Sequence, residues 1–292
     1  MPRFVTANGA MQFEQYGARA DAPVLLMHDI GLQLVQWPPS LVDGLVAAGF
    51  RVIAYDARDT GLSFGLAAEP VDLADVIANG GGIEPAYTVG DMAEDACRLL
   101  DHLGQAGAHL VGFSLGGMVA QRLAIDHPER VFSWTSIGST AGAFPLPKPR
   151  DGLLPAYAEP SRSEQEAVGR SIAWAQRLGG PHHDSARVGI GRLARAAHAR
   201  AHRPEGAVRQ LIAAATERDR SAGLRKLRMP ALVLHGDADP VLPVSSARQI
   251  ATAVPKARLE IVESMGHDLP EPLIPALVAH IATLLKDCDT PR

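Results

Sequence analysis

Residues 108–128 read AHLVGFSLGGMVAQRLAIDHP, and the reading of this stretch decides the fold. Ala108 to Phe113 is an uninterrupted, largely apolar run, the pattern of a strand buried on both faces. Leu115 onward has helical periodicity and stops before Pro128, which cannot continue a helix. At the junction, Gly112-Phe113-Ser114-Leu115-Gly116 spells G-x-S-x-G. A serine on so tight a strand-to-helix turn is pushed outward with a strained backbone, and side chains two positions either side would clash, so glycines stand there. The following helix aims its free N–H groups and the positive end of its dipole at any oxygen reacting at the serine. A plain Gly-Ser turn in a nucleotide-binding-type sheet is the competing reading; the strand before and the helix after favour a nucleophile.

Outward from this turn, strand and helix patterns alternate. APVLLMH (22–28), RVIAYD (51–56), VFSWTSIGS (131–139), PALVLHG (230–236) and ARLEIVE (257–263) read as strands. The N-terminal RFVTA and MQFEQYG pair around Asn8-Gly9 as a hairpin. Helices are expected over 40–50, capped by Ser40, and over 91–104, 115–128, 244–254 and 272–287. This pattern predicts an α/β fold with a mostly parallel eight-stranded sheet flanked by helices. Between 141 and 228 no strand pattern appears, and helices fit 162–178, 184–199 and 206–219. The domain reading is a core from 1–140 and 229–292, with a helical insertion at 141–228 after the sixth strand.

A serine hydroxyl needs a base near pH 7. The motif expects the chain order serine, acid, histidine. LVLHGDADPVLP supplies Asp237 and Asp239 just past a strand, and EIVESMGHDLP supplies His267 in a Gly-led loop past the next. Both loops follow strand C-termini, where open α/β sheets collect their sites. His267 would take and return the serine proton, and an aspartate would orient and stabilise the imidazolium. Either aspartate fits this spacing. The pair His182-His183 reads as surface loop, His198 and His202 as exposed helix residues, and His235 as structural.

The tetrapeptide His28-Asp29-Ile30-Gly31 also matches a metal-binding signature of phosphohydrolases. That reading needs both ligands on a helix, whereas the preceding APVLL is strand-like and Pro38-Pro39 follow, so no metal site is expected.

Five segments, VLLMHDIG, IAYDARDTGLS, HLVGFSLGGMVAQRLAIDHPERV, LVLHGDADPVLP and SMGHDLP, resemble the α/β-hydrolase family over nearly the whole chain. Arg58-Asp59-Thr60-Gly61 looks most like its aclacinomycin methylesterase-type branch. The resemblance implies a serine carboxylic-ester hydrolase with a helical cap and no cofactor. Asp239-Pro240-Val241-Leu242-Pro243 matches the family's acid segment, which favours Asp239 over Asp237. The family's oxyanion loop begins His-Gly, so the two N–H donors would be those of Ile30 and Leu115. Asp29 stands where glycine is usual. It would have to tolerate an unusual backbone conformation, with its carboxylate turned away from the oxyanion. Cap residues Trp174, Ile172, Leu193 and Leu211, with Trp37 and Phe113, are candidates for the substrate pocket. The same triad would serve a lactonase, a carbon–carbon bond hydrolase or a cofactor-free perhydrolase, and a non-catalytic binder on this scaffold is the reading from another class.

The composition fits a small-molecule enzyme. The 292 residues are 47% hydrophobic, enough for a large core, and the net charge of −4 suggests neither nucleic acid nor an anionic membrane as partner. Two cysteines without C-x-x-C, no apolar signal-like N-terminus and no 18-residue apolar run point to a cytoplasmic protein; monomer and dimer both fit. The insertion carries 16 Lys and Arg against 8 Asp and Glu. Such an excess above a pocket could attract an anionic substrate, but a solvated helical surface with pairs within its helices is the favoured reading.

Overall fold

Continuous apolar strands need cover on both faces, and they receive it. The structure is a computed structural model that describes residues 2–6, 8–67, 84–142, 163–181 and 187–288. In chain order its main elements are β1 (Arg3–Thr6), β2 (Gly9–Tyr16), β3 (Ala22–Met27), α1 (Pro39–Ala47), β4 (Phe50–Tyr55), α2 (Val89–His102), β5 (Ala108–Phe113), α3 (Leu115–Asp126) and β6 (Val131–Ile137). After these come α4 (Glu164–Leu178), α5 (Arg187–Arg200), α6 (Pro204–Thr216), α7 (Ser221–Leu224), β7 (Ala231–Gly236), α8 (Val244–Ala253), β8 (Ala257–Val262) and α9 (Ile274–Lys286). The strands form one eight-stranded sheet in the order β1-β2-β4-β3-β5-β6-β7-β8. The β1/β2 and β2/β4 pairs are antiparallel, and every other pair is parallel. The C-terminal ends of β3, β5, β7 and β8 therefore share one edge.

Side chains alternate between two cores, as the two-residue period of a strand requires. Leu25 and Met27 of β3 join Leu99 of α2, Leu123 of α3 and Ile250 of α8. Val24 and Leu26 point the other way, to Leu41 and Leu45 of α1 and Leu277 and Ile281 of α9. Each fully buried leucine contributes about 1.5–3 kcal/mol.

Helix starts differ from the sequence expectation in ways local chemistry explains. α1 begins at Pro39, with Pro38 rather than Ser40 in the capping position; proline's fixed φ suits a first turn. The Ser40 hydroxyl instead donates to Glu271 Oε2 at 2.6 Å. α2 starts two residues early because Thr88 and Asp91 form a capping box: Thr88 Oγ1 accepts from Asp91 N at 3.1 Å, and Asp91 Oδ2 from Thr88 N at 2.8 Å.

Between β6 and β7 the regular elements among the described residues are all helices. The Pro-rich 144–150, residues 79–83 of the Gly-rich 79–90 and the pair His182-His183 lie outside the described residues. Helices α5 and α6 are tied to the core loops by buried polar groups. Arg200 Nη2 lies 3.0 Å from Asp56 Oδ2, and Arg209 Nε lies 2.7 Å from Asp59 Oδ2. Gln33 Nε2 donates to the carbonyls of Ala197 and Ala201, each at 2.8 Å. Part of the insertion's arginine excess is thus engaged by core carboxylates. Among the described residues no helix is long and apolar enough to cross a membrane.

Candidate active site

Ser114 sits between β5 and α3 with φ 53° and ψ −114°, a strained conformation for a residue with a side chain. The surroundings hold it there: Ser114 N donates to Ile137 O at 2.8 Å, and Ser139 Oγ donates to Ser114 O at 2.7 Å. A Cβ at Gly112 would collide with the Gly116 carbonyl, and one at Gly116 with the Met27 carbonyl. The two motif glycines are steric requirements of the turn.

Asp239 and His267 reach the same point from the loops after β7 and β8. Asp239 Oδ1 accepts from Val241 N at 2.8 Å and Leu242 N at 2.9 Å. Its Oδ2 lies 2.7 Å from His267 Nδ1, and His267 Nε2 lies 2.9 Å from Ser114 Oγ. With Asp239 ionised, Nδ1–H donates to it, and Nε2 is left to accept the serine O–H. His267 is 4% exposed and Ser114 9%. Asp237 faces elsewhere: its Oδ1 accepts from Ser264 N at 2.7 Å, a turn role. His235 is fully buried, with Nε2 2.8 Å from Leu242 O. His198 is half-buried rather than exposed, its ring 4.9 Å from that of exposed His202.

Charge sets the protonation states. Burial alone would depress the His267 pKa, but the Asp239 carboxylate, then those of Asp29 and Asp268, outweigh it and hold His267 above the ordinary histidine value. Burial would raise the Asp239 carboxyl, but His267 and the Leu242 N–H keep it below the ordinary carboxylate value. Burial pushes Asp268 up to about 6. His28 is driven down to about 3 by burial, so its ring is neutral. That ring stacks on Trp37 at 4.3 Å, and its Nδ1 accepts from Asp29 N at 2.9 Å.

The loop after β3 departs from expectation twice. The left-handed turn falls at Gly31 (φ 69°), not at Asp29. And the Asp29 carboxylate points into the site: Oδ1 accepts from Ile30 N at 2.7 Å, and Oδ2 lies 3.8 Å from His267 Nε2. A buried N–H demands an acceptor, and the adjacent carboxylate is the nearest one. Gly31 N in turn donates to Gln210 Oε1 at 2.7 Å, and Gln210 Nε2 donates to Arg58 O and Thr60 Oγ1, each at 2.8 Å. Gln210, invisible to any local pattern, is thus the anchor of this loop. Leu115 N, at the first turn of α3, is the other expected donor.

A cavity of about 270 Å³ opens beside His267 and Asp29, walled by Phe113, Trp174, Leu178 and Leu193. Trp37, expected here, is instead buried under His28, and Ile172 and Leu211 do not line the cavity. Asp268 and Glu271 line it, and no Lys or Arg does among the described residues. The cavity wall and His267 share a backbone link, since His267 N donates to Leu178 O at 2.7 Å.

Comparison with known proteins agrees with this architecture. Rhodomycin D methylesterase of Streptomyces peucetius is 32% identical over 91% of this chain and 93% of its own length. A second rhodomycin D methylesterase, from Streptomyces sp. (strain C5), is 31% identical over the same shares. An esterase from Rhodococcus sp. ECU1013 superposes with a TM-score of 0.75 at 22% identity, covering 99% of both chains. A meta-cleavage product hydrolase from Pseudomonas fluorescens IP01 gives 0.76 at 19% identity, covering 98% of both. The sequence model of the alpha/beta hydrolase fold matches residues 22–271, and with these relatives it establishes that the chain belongs to the α/β-hydrolase family.

Proposed function

We propose that this chain is a serine carboxylic-ester hydrolase acting through an acyl-enzyme. The observation that carries the reading is the unbroken path Asp239–His267–Ser114, with links of 2.7 and 2.9 Å. Ser114 Oγ attacks the ester carbonyl as His267 Nε2 takes its proton, and the Asp239 carboxylate stabilises the imidazolium. The tetrahedral oxyanion is held by Leu115 N–H and, once its bond to Asp29 is released, by Ile30 N–H. His267 then protonates the leaving alkoxide. Water, activated by the same histidine, attacks the acyl-enzyme, giving the acid and free Ser114.

In this reading residues 141–228 form a cap over the cleft, and 1–140 with 229–292 form the core. A cavity of about 270 Å³ with an apolar wall suits a small to medium ester. Two methylesterase relatives, each covering most of the chain, support a methyl or similarly small alcohol group.

The test combines a fluorophosphonate probe with p-nitrophenyl ester turnover. Wild type should be labelled at Ser114 and turn over, and Ser114→Ala should do neither. Turnover by Ser114→Ala at the wild-type rate rejects the mechanism. An unlabelled, inactive wild type would favour a binding protein. A lactone and vinylogous diketone panel separates ester from lactone and carbon–carbon substrates.

A further inference from the structure

The ester-hydrolase mechanism leaves Asp29 without a task. Asp29 is 6% exposed. Oδ1 takes the Ile30 N–H at 2.7 Å, while Oδ2 faces His267 Nε2 at 3.8 Å, beyond hydrogen-bond reach. When a substrate carbonyl takes the Ile30 N–H, Asp29 loses that bond and stands as a buried anion beside a developing oxyanion. Like charges so close oppose each other, and a buried carboxylate stripped of its donor is costly.

Among the described residues the cavity offers no cation in its place. The cavity is lined by two further carboxylates, Asp268 and Glu271, and by no Lys or Arg among the described residues. His28, next to Asp29, turns its Nδ1 to Asp29 N as an acceptor, so its one proton is on the other ring nitrogen, Nε2, and not on the nitrogen that faces Asp29. The Nε2–H of protonated His267 is directed at Ser114 Oγ, 2.9 Å away. A substrate that carries its own donor supplies what the described lining lacks.

We infer that Asp29 reads the acyl group: the favoured esters carry a hydroxyl or N–H on the carbon α or β to the scissile carbonyl, and that donor bonds Asp29 Oδ2 as the carbonyl oxygen takes the Ile30 N–H. The inference rests on the ester-hydrolase reading and names the substrate class within it. It also gives a physical reason for an aspartate at this position: the selection against plain esters is the cost of leaving the carboxylate unpaired, and the gain for hydroxy- or amino-esters is a charge-assisted bond.

The test compares methyl 3-hydroxybutanoate with methyl butanoate, which differ only in the donor, using kcat/KM of wild type, Asp29→Gly and Asp29→Asn. Wild type should prefer the hydroxy ester about tenfold or more. Asp29→Gly should gain on methyl butanoate, lose on the hydroxy ester and bring the ratio near one. Asp29→Asn, nearly isosteric, should keep a few-fold preference, and it answers the question if the glycine variant does not fold. Equal wild-type rates on the two esters, or the same ratio in wild type and variants, overturn the inference. So does an equal loss on both esters, which would make Asp29 a positioning residue only. Fluorophosphonate labelling and p-nitrophenyl acetate turnover run in parallel: their failure in wild type rejects the parent reading, whereas their success without discrimination rejects the Asp29 inference alone.

Discussion

Arg209 holds Asp59 in a two-pronged grip, Nε to Oδ2 at 2.7 Å and Nη2 to Oδ1 at 2.8 Å, across 150 residues of chain. Both side chains are buried, and Asp59 bears φ 66°, a conformation that its side chain makes unfavourable. The pair joins α6 to the loop after β4, the loop whose Arg58 and Thr60 also hold Gln210. Removing one member of a buried pair strands the other, at about 3–5 kcal/mol. Arg209→Met should therefore lower the melting temperature by several degrees or more. Arg209→Lys, which keeps charge but not the fork, should recover part of the loss. Calorimetry of the three proteins decides it; an unchanged Tm in Arg209→Met refutes the role.

Catalysis should fail on the acid side at a higher pH than an ordinary histidine would cause. The base must be neutral to accept the Ser114 proton. A raised His267 pKa means protonation, and loss of activity, sets in already as pH falls through a value above about 6.5. Asp239→Asn removes the largest of the influences that raise it, so the acid limb of kcat/KM should move to lower pH. The rate should drop by about 10⁴, the scale of that exchange in other triads. A limb that stays where it was would show that Asp239 does not set the titration.

Gln210→Leu should act on turnover more than on binding. It takes the acceptor from Gly31 N and the donor from Arg58 O and Thr60 Oγ1, all without touching the cavity. A displacement of the Ile30 N–H by about 1 Å costs about 10² in rate. The expected result is kcat lower by 10- to 100-fold with KM within a few-fold. A rise in KM at constant kcat would contradict it.

Trp174→Ala should move the acyl-length optimum. Trp174 walls the cavity, and its removal lengthens the space available to the substrate. Activity on acetyl esters should fall about tenfold while octanoyl esters gain, since each methylene in an apolar pocket is worth about 1–3 kcal/mol. A panel of p-nitrophenyl esters from two to eight carbons measures it, and an unmoved optimum would refute the assignment.

What was legible in the chain was what depends on short-range chemistry. The turn at Ser114 announces itself because two glycines are needed within five residues. The strands of the parallel sheet read as apolar runs because both faces are covered. Asp239 and His267 each follow a recognisable strand, and the structure brings both to Ser114. The direction of the Asp29 side chain was not legible. It depends on Gly31 taking the left-handed turn and on Gln210, 179 residues further on, anchoring the loop. Trp37 misled for a related reason: a ring close in sequence to Ile30 can lie under the loop as easily as over it, and stacking on His28 puts it under. The arginine excess of the insertion had two readings by count, and only the partners Asp56 and Asp59 explain where Arg200 and Arg209 go.

The hydrogen bond from His267 N to Leu178 O makes the cavity wall and the proposed base one mechanical unit. α4 carries Trp174 and Leu178 along the cavity, and its end presses so closely on the base loop that a side chain at Gly266 would strike the Leu178 carbonyl. An oversized acyl chain that levers this helix outward draws the imidazole away from Ser114 Oγ at the same moment. On the proposed mechanism such a substrate should be admitted and held, yet turned over slowly. The enzyme's gauge of size is then its tempo, with the histidine as the needle.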